Sequence, residues 1–170
     1  MFSKKVEQAL IKQIEVEGYS SQIYLAMASW AETVGMNGMA QFLYGHADEE
    51  REHMLKLIRF VNERGGHAII PKFDKPPKAY ESVRAVFEEV LEHEQKVTNE
   101  INKVVDITLK EKDYTTHNFM QWYVSEQIEE EALARSIIDK LNLIGTDSGS
   151  LYLFDRDLES MKVDPSQETN

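Results

Sequence analysis

Apolar residues recur at steps of three and four along four long stretches of this chain, and a glutamate interrupts each stripe near its middle. In the first stretch Leu10, Ile14, Glu17, Ser21, Tyr24 and Ala28 share one helical face. The pattern predicts a helix from Lys4, with Ser3 as N-cap, to Val34, since Gly18 alone interrupts a helix-favouring run. Gly35-Met36-Asn37-Gly38 then reads as a short turn, which returns the next helix antiparallel beside the first. That second helix, about Met36 to Arg64, carries Glu49-Glu50-Arg51-Glu52-His53 at its centre and stops at Gly65-Gly66.

Residues 67–80 form the long irregular segment and hold Pro71, Pro76 and Pro77. Extended chain of this length spans some 45 Å at about 3.3 Å per residue, and the second helix is about 43 Å long at 1.5 Å per residue. The segment therefore reaches from one end of a bundle to the other and predicts a third helix parallel to the second, with Ile69, Ile70, Phe73 and Tyr80 available to pack it down. The third helix, Ser82 to Lys112, presents Phe87, Val90, Glu94, Val97 and Ile101; the fourth, from Asp113 to about Leu143, presents Met120, Tyr123, Gln127, Glu130, Ala134 and Ile137. After a turn at Gly145 to Gly149, Leu151, Phe154, Leu158 and Met161 mark a short fifth helix, and a polar tail follows. The expected fold is all-α: a four-helix bundle with one long crossover between the second and third helices, plus a short C-terminal helix. The chain reads as one domain over residues 1–162, with 163–170 as tail.

Residues seven positions either side of a helical residue point in nearly its own direction. Glu17 has Leu10 and Tyr24 there; Glu50 has Leu43 and Leu57; Glu94 has Phe87 and Ile101; Glu130 has Tyr123 and Ile137. Glu126 and Glu131 also pass this test, whereas Glu15, Glu49, Glu52, Glu92, Glu100 and Glu129 fail it. The four central glutamates lie near the midpoints of helices of similar length, so they should converge at one level of the bundle. Convergent buried carboxylates need compensating charge, because each buried ion costs several kcal/mol and like charges repel. No lysine or arginine falls at mid-helix on these faces. Two divalent cations held by Glu17, Glu50, Glu94 and Glu130, with His53 and Gln127 as further donors, would supply that charge. Mixed carboxylate and imidazole donors suit iron, manganese or zinc better than calcium or magnesium, and the oxidisable Tyr24 nearby favours iron. His46 and His93 read as structural or surface histidines, and Glu49, Glu126 and Glu129 as an acidic patch on two helix edges.

Composition narrows the partners. A formal net charge of −11 disfavours nucleic-acid and anionic membrane surfaces and attracts cations. With no cysteine, a metal must be held by nitrogen and oxygen. The first residues, Met1-Phe2-Ser3-Lys4-Lys5-Val6-Glu7, do not read as a secretory signal, and no apolar run approaches a membrane span, so the expected compartment is the cytoplasm.

Gln121-Trp122-Tyr123-Val124-Ser125-Glu126-Gln127, followed by Glu129-Glu130-Glu131, together with Glu17, Glu50, His53 and Glu94, resembles the bacterial non-haem ferritins, and the resemblance extends over essentially the full length. It implies a 24-subunit cage, a homo-oligomer that oxidises Fe(II) with dioxygen or hydrogen peroxide at a di-iron centre in each bundle and stores a hydrated ferric oxide. By the same resemblance, a first iron site corresponds to Glu17, Glu50 and His53. A second corresponds to Glu50, Glu94 and Glu130, with Gln127 close by. A third, near the inner surface, corresponds to Glu49, Glu126, Glu129 and Glu130, which replaces the surface-patch reading of those residues. Tyr24 and Trp122 match aromatic positions beside the di-iron centre. Bacterioferritins differ in repeating Glu-x-x-His on the fourth helix and placing a haem-binding methionine after the bridging glutamate; here Gln127, Glu130 and Arg51 stand instead. No haem is expected.

Overall fold

The computed structural model describes residues 3–145 and 147–161; the predicted tail, 163–170, lies outside them. Five helices follow in order: α1 (Lys4–Thr33), α2 (Asn37–Glu63), α3 (Val83–Lys110), α4 (Tyr114–Ile144) and α5 (Ser148–Ser160). Four begin at side chains that take up free helix N–H groups: Ser3 accepts from Val6, Ser82 from Ala85, Asp113 from Thr116 and Asp147 from Ser150. Gly35 and Gly65, both at φ +80°, turn the chain out of α1 and α2 in a conformation that suits glycine. The fifth helix starts earlier than its apolar spacing predicts. Asp147 caps it, so Gly149, expected in the turn, lies in its first turn.

Cross-helix pairs define the topology. Along α1 and α3, Lys5 meets Glu111, Ser20 meets His93 and Trp30 meets Tyr80, so these helices run antiparallel. Along α2 and α4, His46 lies beside Glu130, the Tyr123 hydroxyl donates to the His53 carbonyl and Arg64 pairs with Asp113, so these run antiparallel too. Because α1 and α2 are joined by a short turn, α3 is parallel to α2, and residues 64–82 cross the length of the bundle. Phe73 pins this crossover against Gly18, where a Cβ would come within 2.4 Å of the phenyl ring. Tyr80 packs edge-on against Trp30 at 5.5 Å. Ile69 and Ile70, expected to pack down, are instead 61% and 56% exposed. Ala68 takes the inward position there, and the chain leaves its two neighbours facing out.

The apolar interior is in two parts. One cluster, including Met27, Leu43, Phe87 and Leu141, fills the end where α5 docks; the other, including Leu10, Leu57, Ile101 and Met120, fills the opposite end. Each fully buried side chain of this kind contributes roughly 1.5–3 kcal/mol, which lets the bundle carry a polar layer between the clusters.

Phe154 and Leu158 bury α5 in the first cluster, while Tyr152 and Leu153 on its other side are exposed. The Asp155 carboxylate accepts from the backbone N–H groups of Gly38 (3.1 Å) and Met39 (2.8 Å), capping α2 from another helix. This approach requires glycine: a Cβ at residue 38 would lie 2.0 Å from the Asp155 carbonyl oxygen. Gly38→Ala is therefore expected to displace α5, read as loss of hydrogen-exchange protection across 148–160. Asp155→Ala should cost about 1 kcal/mol in thermal melts. Unchanged protection in the first variant would show that α5 is held otherwise.

Candidate metal centre

The four glutamates singled out by the seven-residue test all reach the interior: Glu17, Glu50, Glu94 and Glu130 are buried, and so are all eight of their apolar flanking residues. They form a polar layer between the two clusters. Among the described residues, none of its buried charged groups is a lysine or arginine.

Three of its members meet closely. Glu17 from α1 and Glu50 and His53 from α2 each offer a ligand atom within 4.8 Å of the others. His53 Nδ1 stands 3.8 Å from Glu17 Oε2 and 3.7 Å from Glu50 Oε2. The one-turn spacing of Glu50 and His53 brings them to one face of α2. Glu17 is aimed by Gln13, one turn earlier, whose Nε2 donates to Glu17 Oε1 at 2.7 Å. Glu94 from α3 is held on both oxygens: the Tyr24 hydroxyl donates to Oε1 at 2.7 Å and Gln127 Nε2 to Oε2 at 3.1 Å. The same Gln127 amide reaches the Glu94 carbonyl at 3.1 Å. Glu130 from α4 faces His46 and Glu49, with which it forms a second close group. Glu49, His53 and Glu126 form a third.

The electrostatics follow from burial. Desolvation raises the Glu50 carboxyl well above its ordinary range; His53 works against this, and Glu94 and Glu17 add to it. Glu94 is raised to about 7 by burial, although the hydrogen bonds from Gln127 and Tyr24 favour its charged form. Glu130 is raised by burial and by the neighbouring Glu94 and Glu49. Burial alone would discharge His53, but Glu17 and Glu50 outweigh it and hold its imidazolium well above the usual range. The Tyr24 hydroxyl is kept protonated by burial and by Glu94, Glu130 and Glu50 around it. Protons thus supply the compensation that these buried carboxylates require.

The other expected residues are less uniform. Glu49 and Glu126 are half-buried, and Glu129 is exposed. Trp122 lies edge-on to His53 at 5.0 Å. Glu131, which passes the seven-residue test, accepts instead from the Thr98 hydroxyl and pairs with Arg135 at 2.8 Å. His93 bonds to Ser20 at 2.8 Å, a structural arrangement. Gln13 escaped the sequence reading; it lies one turn before Glu17, and that spacing was the available signal.

Stability of the metal-free protein should carry the mark of Glu94. Its folded pKa, about 7, lies above the unfolded carboxyl value, so the folded state holds more protons between them. Its contribution is fully present below the unfolded pKa and is lost as pH rises through about 7. Glu94→Gln should therefore raise the melting temperature in chelator at pH 8, by the equivalent of up to about 3 kcal/mol, with the gain vanishing near pH 4. Equal gains at both pH values would remove the titration as cause.

Residues 7–144 match the family model described as a ferritin-like domain. The chain is 45% identical over 163 residues to a probable bacterial non-heme ferritin-like protein of Haemophilus influenzae, covering 96% of this chain and 99% of that protein. It is 44% identical over 163 residues to a bacterial non-heme ferritin of Campylobacter jejuni, covering 96% and 98%. The solved open pore ferritin of Archaeoglobus fulgidus superposes with a TM-score of 0.92 at 42% identity, covering 94% of this chain and 98% of that one. On that family match and those identities over nearly the full length, the chain belongs to the ferritin-like family.

Proposed function

We propose that this protein is an iron-storage ferritin with ferroxidase activity, using Fe(II) as its substrate. The observation that carries the reading is the buried Glu17–Glu50–His53 group at mid-bundle, with Glu94 and Glu130 in the same polar layer. Glu17, Glu50 and His53 would hold one Fe(II); Glu50, Glu94 and Glu130 would hold a second, with Gln127 beside it. Hard carboxylate oxygens favour Fe(III) over Fe(II), which lowers the cost of oxidation at this site. Two Fe(II) give up one electron each, and dioxygen takes both with two protons to leave hydrogen peroxide. Peroxide accepts two electrons and two protons to leave water. The carboxyls of Glu50, Glu94 and Glu130, with raised pKa values, can release protons as cations arrive. Tyr24 and Gln127 position Glu94 through their hydrogen bonds.

Storage needs a closed shell, and we infer a 24-subunit cage in the cytoplasm. Ile69 and Ile70 on the crossover and Tyr152 and Leu153 on α5 give the chain exposed apolar groups suited to subunit packing. Half-buried Glu49 and Glu126, with exposed Glu129, would accept iron leaving the buried layer for the mineral. The non-heme names of the relatives, and Arg51 on the solvent side of Glu50, support a chain without haem. Among the described residues no helix is long and apolar enough to cross a membrane.

Aerobic Fe(II) addition to the metal-free protein tests this, from about two ions per chain to large excess, with iron and protein followed together through size exclusion. Rapid oxidation with excess iron co-eluting in a very large particle is expected. Oxidation that stops at the stoichiometric site would leave a di-iron oxidase and refute storage. Glu50→Ala and His53→Ala should each slow the first turnover by at least about tenfold while leaving the cage assembled. Oxidation at the parental rate in both would remove the site assignment.

A further inference from the structure

Gln127 and Glu94 are tied to the edge of the bundle by side chains that the chemistry above does not use. On α4, Gln127, Glu131 and Arg135 follow one another at one-turn spacing; on α3, Glu94 and Thr98 do the same. The two ladders interlock. Arg135 pairs with Glu131 at 2.8 Å, the Thr98 hydroxyl stands 2.7 Å from Glu131 Oε1, and Gln127 Nε2 stands 3.3 Å from the Thr98 oxygen. Gln127 Nε2 also lies 3.1 Å from both Glu94 Oε2 and the Glu94 carbonyl oxygen. Burial rises along the series, from exposed Arg135 through half-buried Glu131 and Thr98 to buried Gln127 and Glu94.

Counting hydrogens fixes the direction of each bond. A carboxylate paired with Arg135 can only accept, so the Thr98 hydroxyl donates to Glu131; two oxygens 2.7 Å apart with no hydrogen between them would repel. A hydroxyl has a single hydrogen to give. With it held by Glu131, the Thr98 lone pairs face Gln127, although the Glu94 carbonyl at 3.0 Å competes for the same hydrogen. Gln127 thus meets three acceptors: Thr98, the Glu94 carbonyl and the Glu94 carboxylate. Its amide nitrogen, not its oxygen, is the end that satisfies all three.

We propose that Thr98 and Glu131 are positioning residues for the second ion of the proposed centre: they hold Gln127 as a hydrogen-bond donor, and Gln127 in turn holds Glu94 Oε2. A carboxylate already fixed in orientation loses less freedom when a cation arrives than one that must first be ordered. Partners of this outer kind are worth about 10–100-fold in metal affinity. The proposal deepens the proposed function, on which the identity of the natural ion rests. The first ion does not depend on the relay in the same way, because Glu17 is aimed by Gln13.

The test is Zn(II) titration of the intact metal-free protein by calorimetry, with anomalous diffraction from zinc-soaked crystals to assign each ion, for the parent chain, Thr98→Val, Thr98→Ser and Glu131→Leu. Valine keeps the shape of threonine without the hydroxyl, and serine keeps the hydroxyl; Thr98→Ala replaces valine should thermal melts show that valine unfolds the bundle. Thr98→Val is expected to bind zinc at Glu94 and Glu130 at least about tenfold more weakly, and at Glu17, Glu50 and His53 as the parent chain does. Thr98→Ser should restore the parental affinity. Glu131→Leu should weaken the same ion by less, because the freed hydroxyl turns to the Glu94 carbonyl while a lone pair still reaches Gln127. Parental affinity at Glu94 and Glu130 in Thr98→Val, or equal weakening of both ions, overturns the proposal, and parental affinity in Glu131→Leu overturns the part of Glu131 in it. Zinc absent from Glu94 and Glu130 in the parent chain would refute the second ion of the proposed function, and the proposal with it.

Discussion

Four carboxylates share one level of an apolar bundle, where desolvation and mutual repulsion both oppose their charge. The rest of the structure can be understood as what makes that arrangement tolerable. Apolar clusters above and below the layer supply folding energy, and each glutamate is flanked one heptad away on both sides by buried apolar residues. Within the layer, neutral donors take up carboxylate oxygens: Gln13 on Glu17, Tyr24 and Gln127 on Glu94. His53 brings a positive charge between Glu17 and Glu50. These groups are enough to hold the side chains in place but not to neutralise them, which is why Glu50, Glu94 and Glu130 all keep their protons beyond the ordinary carboxyl range. A layer completed by protons is one that cations can complete instead.

The bundle was legible in the sequence because the period of its apolar stripes, the two glycine-marked turns and the length of the proline-bearing segment are local features. The central glutamates were legible for a related reason: a carboxylate in line with apolar residues on both sides has no route to solvent along a helix packed at mid-length. The same test admitted Glu131, because seven-residue spacing gives direction but not depth, and a half-buried carboxylate can pair with Thr98 and Arg135 at the bundle's edge. Ile69 and Ile70 failed to pack because in irregular chain apolarity does not decide which side chain turns inward; Ala68 does so in their place. The docking of α5 was beyond reach from sequence. It depends on Asp155 finding the open N-terminus of α2 and on Gly38 leaving room, a pairing of residues 117 positions apart.

His46, read as a structural histidine, is buried against aromatic rings as that reading requires. Taken singly, a histidine on an apolar face is accounted for by packing, and its rings of contact with Phe42 and Tyr24 fit that account. Packing does not, however, explain two nitrogens left without partners beside two carboxylates. Only the fold brings Glu130 from α4 to the His46–Glu49 face of α2 and makes the three a set.

The three close groups of the layer are not separate sites. Glu17–Glu50–His53 shares His53 with Glu49–His53–Glu126, which shares Glu49 with His46–Glu49–Glu130. A shared carboxylate can bridge two cations, but an imidazole lone pair given to one is withdrawn from the next, so groups that share His53 would compete, each lowering the other's affinity by the same factor. Burial grades the sequence as well: the first group is wholly buried, whereas Glu49 and Glu126 are half-exposed and bear less of the desolvation cost. On the proposed function, an ion arriving in the buried group would weaken the hold on its neighbour through His53, and the neighbour's exit would lie toward the half-buried Glu49 and Glu126. Direction would then come from shared ligands and graded burial, with no moving part beyond the rotation of side chains.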